Sequence, residues 1–124
     1  STQPTNAWLA VQTGPIIVLE GRPRILSIRN DEQARRIVAA TTTENKLIFL
    51  AVYSDGSEFQ GPFLEELPSI LEKFNQNSGF NPSPSLRARI QNSINLDGGS
   101  ASALVSKDVN LPERTLIGSY FCEK

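Results

Sequence analysis

Histidine and methionine are both absent from this chain of 124 residues, and cysteine occurs once. Without histidine, no Ser-His-Asp or Cys-His relay operates within the chain, and a histidine-based metal site is excluded. A single Cys122 forms neither an intrachain disulfide nor a cysteine zinc cluster, and it reads as a small buried hydrophobe near the end of a strand. No run of about 18 apolar residues is present, so no helical membrane span is expected. No secretory leader pattern is visible either. Twelve basic and 13 acidic residues leave a net charge of −1, spread evenly, which is no footprint for nucleic acid.

What remains is ordinary in amount and specific in one place. An apolar fraction of 39% supplies a modest core for a single domain over residues 1–124. Residues 8–13 have strand composition, Gly14-Pro15 breaks it, and Ile16-Ile17-Val18-Leu19 reads as a second strand. Glu20-Gly21-Arg22-Pro23 is a turn. Residues 34–42 and 46–53 read as strands joined by Thr43-Glu44-Asn45, hence an antiparallel hairpin. The second of these scarcely alternates, which predicts a central strand covered on both faces. Ser54-Asp55-Gly56-Ser57 is a turn in which Asp55 is structural.

The clearest helix covers residues 63–74, with apolar residues at 63, 64, 67, 70, 71 and 74 on one stripe. Glu65, Glu66, Glu72 and Lys73 form its wet face. Pro68 requires either a helix that starts near Leu64 or a kink. Residues 75–84 are a loop, and 85–91 read as a short second helix with Arg87 and Arg89 solvated. Residues 115–121 read as a last strand. The strand at 46–53, the helix and a strand near 92–96 can form a crossover unit. The fold class that follows is α+β, a mixed, mainly antiparallel sheet with one main amphipathic helix.

The specific place is Ser93-Ile94-Asn95-Leu96-Asp97-Gly98-Gly99-Ser100-Ala101-Ser102-Ala103-Leu104-Val105. Ile94 and Leu96 alternate with polar residues as the buried side of a strand. Asp97 follows, then two glycines that let a ligand approach bare backbone N–H groups, then the hydroxyls of Ser100 and Ser102. Asp-Gly and Gly-Gly between apolar runs also serve plain hairpin turns.

Asn-Leu-Asp-Gly-Gly followed by small residues resembles the signature of the phosphodiester glycosidase family, with Ser100 at the place of a usual third glycine. Gln12-Thr13-Gly14-Pro15 and the apolar residues after it resemble the family's Gln-Ser-Gly-Pro strand. Arg36-Ile37-Val38-Ala39-Ala40 is similar to its Arg-Thr-Ala-Ile-Gly, with Arg35 as the alternative register. The resemblance runs from about residue 10 to 121. It implies a hydrolase acting on a sugar–phosphate linkage, with carbohydrate or sugar phosphate as its partner. By its implication Arg36 binds phosphate and Asp97 is the acid/base or a metal ligand. Gly98, Gly99, Ser100, Ser102, Gln12 and Gly14 line the substrate site.

The chemistry suits the residue types. Arginine's planar fork binds two phosphate oxygens, and a carboxylate handles charge at the anomeric carbon. Read alone, Arg36 is an edge-strand charge, and Gln12 and Gly14 are a strand end and its turn. A divalent cation is compatible with Asp97, but one Asp specifies none and the metal ligands are unknown. The family's upstream Asn-Gly-Gly or Asn-Ala-Gly motif does not occur here. The expectation is a fragment lacking the N-terminal part of the domain, its site completed by that segment or by a second chain. An extracytoplasmic or secreted location is implied by the family only. The rival reading is a non-catalytic carbohydrate- or partner-binding module that keeps the fold.

Overall fold

The computed structural model describes residues 13–77, 88–117 and 120–122. Gln12, the expected strand before Thr13 and residues 85–87 of the expected second helix lie outside the described residues. The chain forms seven strands and one α-helix among the described residues. They are β1 (Ile16–Leu19), β2 (Arg22–Pro23), β3 (Arg36–Thr42), β4 (Leu47–Val52), α1 (Leu67–Gln76), β5 (Ile90–Gly98), β6 (Leu104–Val105) and β7 (Asn110–Leu111). A five-stranded sheet runs in the order β2-β1-β5-β3-β4, and β6 pairs with β7. Every pairing is antiparallel. The fold is therefore α+β with a mostly antiparallel sheet.

The β3–β4 hairpin closes where the sequence indicates. Thr42 N–H donates to Lys46 O at 2.9 Å, and Asn45 takes φ of +58°, a left-handed conformation that asparagine tolerates. The hairpin's place in the sheet is not the expected one. β4 is an edge strand, not a central one, and Leu47 is 64% exposed. Its near-continuous apolar run does not arise from burial on both faces. The interior strands are β1, β5 and β3, and in the two long ones, β3 and β5, small and polar residues interrupt the pattern. β4 and β5 both run antiparallel to β3, hence parallel to each other, and α1 joins them across it.

Helical structure begins as a 3-10 turn at Leu64–Glu66 and becomes α at Leu67, so Pro68 lies in the first α-helical turn, where its missing N–H costs nothing. The Glu66 carboxylate accepts from Phe63 N–H at 2.8 Å, and Asp31 Oδ2 accepts from Glu65 N–H at 2.9 Å. A carboxylate distant in sequence thus caps the helix start. Leu67 and Leu71 pack against Ile17, Val18, Val38, Ala40 and Ile90. The glutamates of the wet face are exposed as expected. Asn75 ties the helix end to β5, accepting from Ile90 N–H at 2.9 Å.

Several expectations are corrected. Ile90 and Gln91 open β5 rather than close a helix. Residues 115–117 and 120–122 form no strand, and Cys122 is exposed. Within β5 the buried side is the polar one. Ser93 is 3% exposed and Asn95 6%, while Ile94 and Leu96 are only half-buried. Two irregularities set this pattern. Thr41 and Thr42 of β3 face Asn92 and Ile90, and Ile37 and Val38 face Asp97 and Asn95, so Gln91 and Leu96 are extra residues without a partner on β3. Each such bulge shifts the alternation by one place. Ile90, Ser93 and Asn95 consequently all point to the helix-covered face.

Candidate functional site

The bulge at Leu96 decides where Asp97 lies. Asp97 pairs with Ile37 and Gly98 with Arg36 on the last two rungs of the β3–β5 ladder. Neighbouring rungs present their side chains to opposite faces. Asp97 is exposed, and its Oδ1 accepts from Gly98 N–H at 2.7 Å. The chain then enters a 3-10 turn, Gly99–Ala101, with Gly99 at φ +66°. The turn does not return β5 as a hairpin, because β6 pairs with β7. Gly98 must lack a side chain here: a Cβ would meet Arg35 O at 2.7 Å and Arg36 Nη1 at 3.2 Å.

Arg36 lies on the helix side of the sheet. Its Nη2 pairs with Asp31 Oδ1 at 3.2 Å and also donates to Glu32 O, and its Nε donates to Pro62 O at 3.3 Å. Burial pushes the Asp31 carboxyl up. The N–H groups of Glu65 and Leu64 and the Arg36 charge outweigh this and hold it below its ordinary value of 3.8. A depressed folded-state pKa contributes stability above the ordinary value, and this stability is lost as pH falls through the folded one. We therefore expect urea midpoints of the parent to fall more steeply than those of Asp31→Asn as pH is lowered below about 4, a difference that equilibrium unfolding at several pH values measures.

Arg35, the alternative register, lies in different surroundings. It is fully buried, at 0% exposure. Its Nε donates to Ser102 Oγ at 3.0 Å, and its Nη2 donates to Pro112 O at 2.9 Å and to Ser102 O. The guanidinium lies 4.7 Å from the centre of the Phe59 ring, and that of Arg114 lies 3.9 Å from the same ring. Burial lowers the Arg35 pKa, and the nearby Glu58 carboxylate partly raises it again.

The remaining candidates are distributed around the turn. Ser102 Oγ donates to Gly99 O at 2.8 Å while accepting from Arg35, so this hydroxyl is buried in the turn's own bonding. Ser100 is exposed, its hydroxyl 3.3 Å from Thr115 Oγ1, and its carbonyl accepts from Arg114 and Thr115 N–H. Gly14 packs against β5, where a Cβ would meet Asn95 O at 2.8 Å. The Thr13 hydroxyl donates to Leu96 O at 2.6 Å. The end of β5 thus brings together Asp97, Gly98, Gly99 and Ser100, with Arg36 on one side of the sheet and Arg35 on the other. Among the described residues no three acidic or cysteine side chains form a cluster that could hold a metal ion. A cavity of about 290 Å³, lined by Ile16, Leu19, Leu47 and Ile94 among others, involves none of these residues.

Sequence reasoning missed Asp31, Phe59 and Arg114. They reach the site through loops, and no periodicity or motif marks them. The Arg35-Arg36 pair was visible, but only the register of β3 shows that the two arginines serve opposite faces.

The end of a central strand of this α+β domain thus carries a carboxylate and a glycine pair, flanked by arginines. The chain belongs to the phosphodiester glycosidase family, whose sequence profile matches residues 1–119. No curated protein and no solved structure matches the chain. Membership points to a sugar-linked substrate, and among the described residues no helix is long and apolar enough to cross a membrane.

Proposed function

We propose that this domain hydrolyses a glycosyl phosphodiester, with Asp97 as acid/base and Arg36 as the phosphate-binding residue. The observation behind this reading is the exposed Asp97 on the rung beside Arg36–Gly98, in a chain of this family. Acting as base, Asp97 takes a proton from water while the water oxygen bonds to the anomeric carbon. The bond from that carbon to the phosphate oxygen breaks, and its electron pair leaves with the phosphate. The products are the free sugar and a phosphomonoester. Arg36 lies at the strand end, so a phosphate lying across the Gly98 edge reaches it while the sugar faces Asp97. Gly98, Gly99 and Ser100 line this edge, and Gly14 and Gln12 belong to the same proposal as substrate-binding residues. Where a divalent cation takes part, Asp97 is one of its ligands. An upstream segment or a second chain completes the site, and an extracytoplasmic setting belongs to the same proposal.

The ion pair between Arg36 and Asp31 favours a second reading, a carbohydrate-binding module without turnover, because that arginine already has a structural task. One assay separates the two. The protein is incubated with a sugar-1-phosphodiester, with and without a divalent cation, and free sugar is measured alongside binding. Release of sugar above a heat-inactivated control supports hydrolysis. Saturable binding without release, at every pH tested, leaves the module. For Arg36→Lys we expect a rise in KM of about tenfold with kcat little changed, because a point charge replaces a two-pronged one. An unchanged KM would remove Arg36 from the phosphate.

A further inference from the structure

We infer that Arg35 is a positioning residue, a buried guanidinium that latches the Gly99–Ser102 turn and so holds Asp97 in place. The inference rests on the reading of Asp97 given above. Three observations support it. First, Arg35 directly precedes β3, its carbonyl accepts Gly99 N–H just beyond the Arg36–Gly98 rung, and continued alternation gives it the parity of Ile37, the partner of Asp97. Second, its contacts converge on the turn. The side chain donates to Ser102 Oγ and Ser102 O, its own carbonyl accepts Gly99 N–H at 2.7 Å, and Nη2 ties in Pro112. Third, Nη1 is buried with no hydrogen-bond partner among the described residues. A fully buried charge with an unused donor is a poor device for stability alone, since an apolar side chain of similar volume commonly does as well or better. Such a cost is tolerated where geometry matters more than stability.

Lysine cannot reproduce this arrangement. An ammonium on a flexible stem does not present a planar fork to Ser102 and Pro112 together. Methionine fills much of the volume and removes the buried charge. Arg35→Met is therefore expected to keep the parent's thermal midpoint or raise it, while freeing the turn.

The test compares the parent, Arg35→Met and Arg35→Lys by amide hydrogen exchange and by kinetics. We expect exchange at Gly99 and Ser102 to accelerate by about tenfold or more in both variants, while the Leu71 amide in α1 keeps the parent's protection. We expect kcat to fall and KM to stay near the parent value, the pattern of a misplaced catalytic group. Leu71→Ala serves as the control, losing thermal stability with parent-like exchange at the turn relative to its global unfolding. Parent-like exchange at Gly99 and Ser102 in either folded arginine variant overturns the latch. Exchange is read without turnover, so an inactive parent would remove the hydrolase reading and leave the latch to be decided by the amides alone.

Discussion

Replacing Asp97 with Asn is expected to lower turnover of a sugar-1-phosphodiester by about 10²- to 10⁴-fold with the fold intact. The side chain is exposed, and among the described residues it accepts one hydrogen bond, from the next residue's N–H, which an amide oxygen also accepts. Loss of activity therefore cannot be charged to unfolding. Matching circular dichroism and melting curves for parent and variant are part of the measurement. The pH profile supplies a second readout. If Asp97 is the base, the acidic limb of kcat/KM belongs to it and disappears in the variant, leaving a flat residual rate. Turnover retained at the parent level would end the assignment of Asp97. It would also turn attention to the arginine that shares its face.

Leu67→Ala is the second large effect, and here the quantity is stability. Leu67 is completely buried at the start of α1, in one cluster with Leu71, Val38 and Ile90. Removing its isobutyl group leaves a cavity at the junction of helix and sheet, at a cost of about 2–5 kcal/mol. A domain of this size has about 5–15 kcal/mol in total, so the variant is expected to be partly unfolded at 37 °C. Chemical denaturation gives the value directly. A loss under about 1 kcal/mol would mean that α1 settles into the gap, and that the helix is less firmly held than its position suggests.

The sequence made the main helix legible because six apolar residues fall on one stripe and the wet face is charged. The β3–β4 hairpin was legible because asparagine marks its turn. The sheet order was not. Leu47–Val52 is more apolar than either long interior strand, yet it lies at the edge, since hydrophobicity reports available apolar surface and not the presence of a neighbour. The buried face of β5 was misread for a different reason. Strict alternation from Ile94 and Leu96 assumes an unbroken period of two, and bulges at Gln91 and Leu96 break it twice. Bulges leave no composition signature when the extra residue is an ordinary Gln or Leu. At the site, the Asp-Gly-Gly motif located the turn. The division of labour between Arg35 and Arg36 depends on parity, which needs the pairing partner and cannot be read from two adjacent identical letters.

The bulge at Leu96 also divides β5 into two reading frames. Upstream of it, parity is dictated by the core, where Ile90, Ser93 and Asn95 answer to the helix. Downstream, parity is dictated by the rung on which Asp97 faces Ile37. The spare residue works as a phase shifter, so that the packing of the sheet and the aim of the carboxylate can be changed independently. Pairing Leu96 with Ile37 in unbroken alternation would instead carry Asp97 to the face now held by Asn95, exchanging a solvated carboxylate for a buried one. The register of this strand, more than its composition, decides which side of the sheet the acid serves.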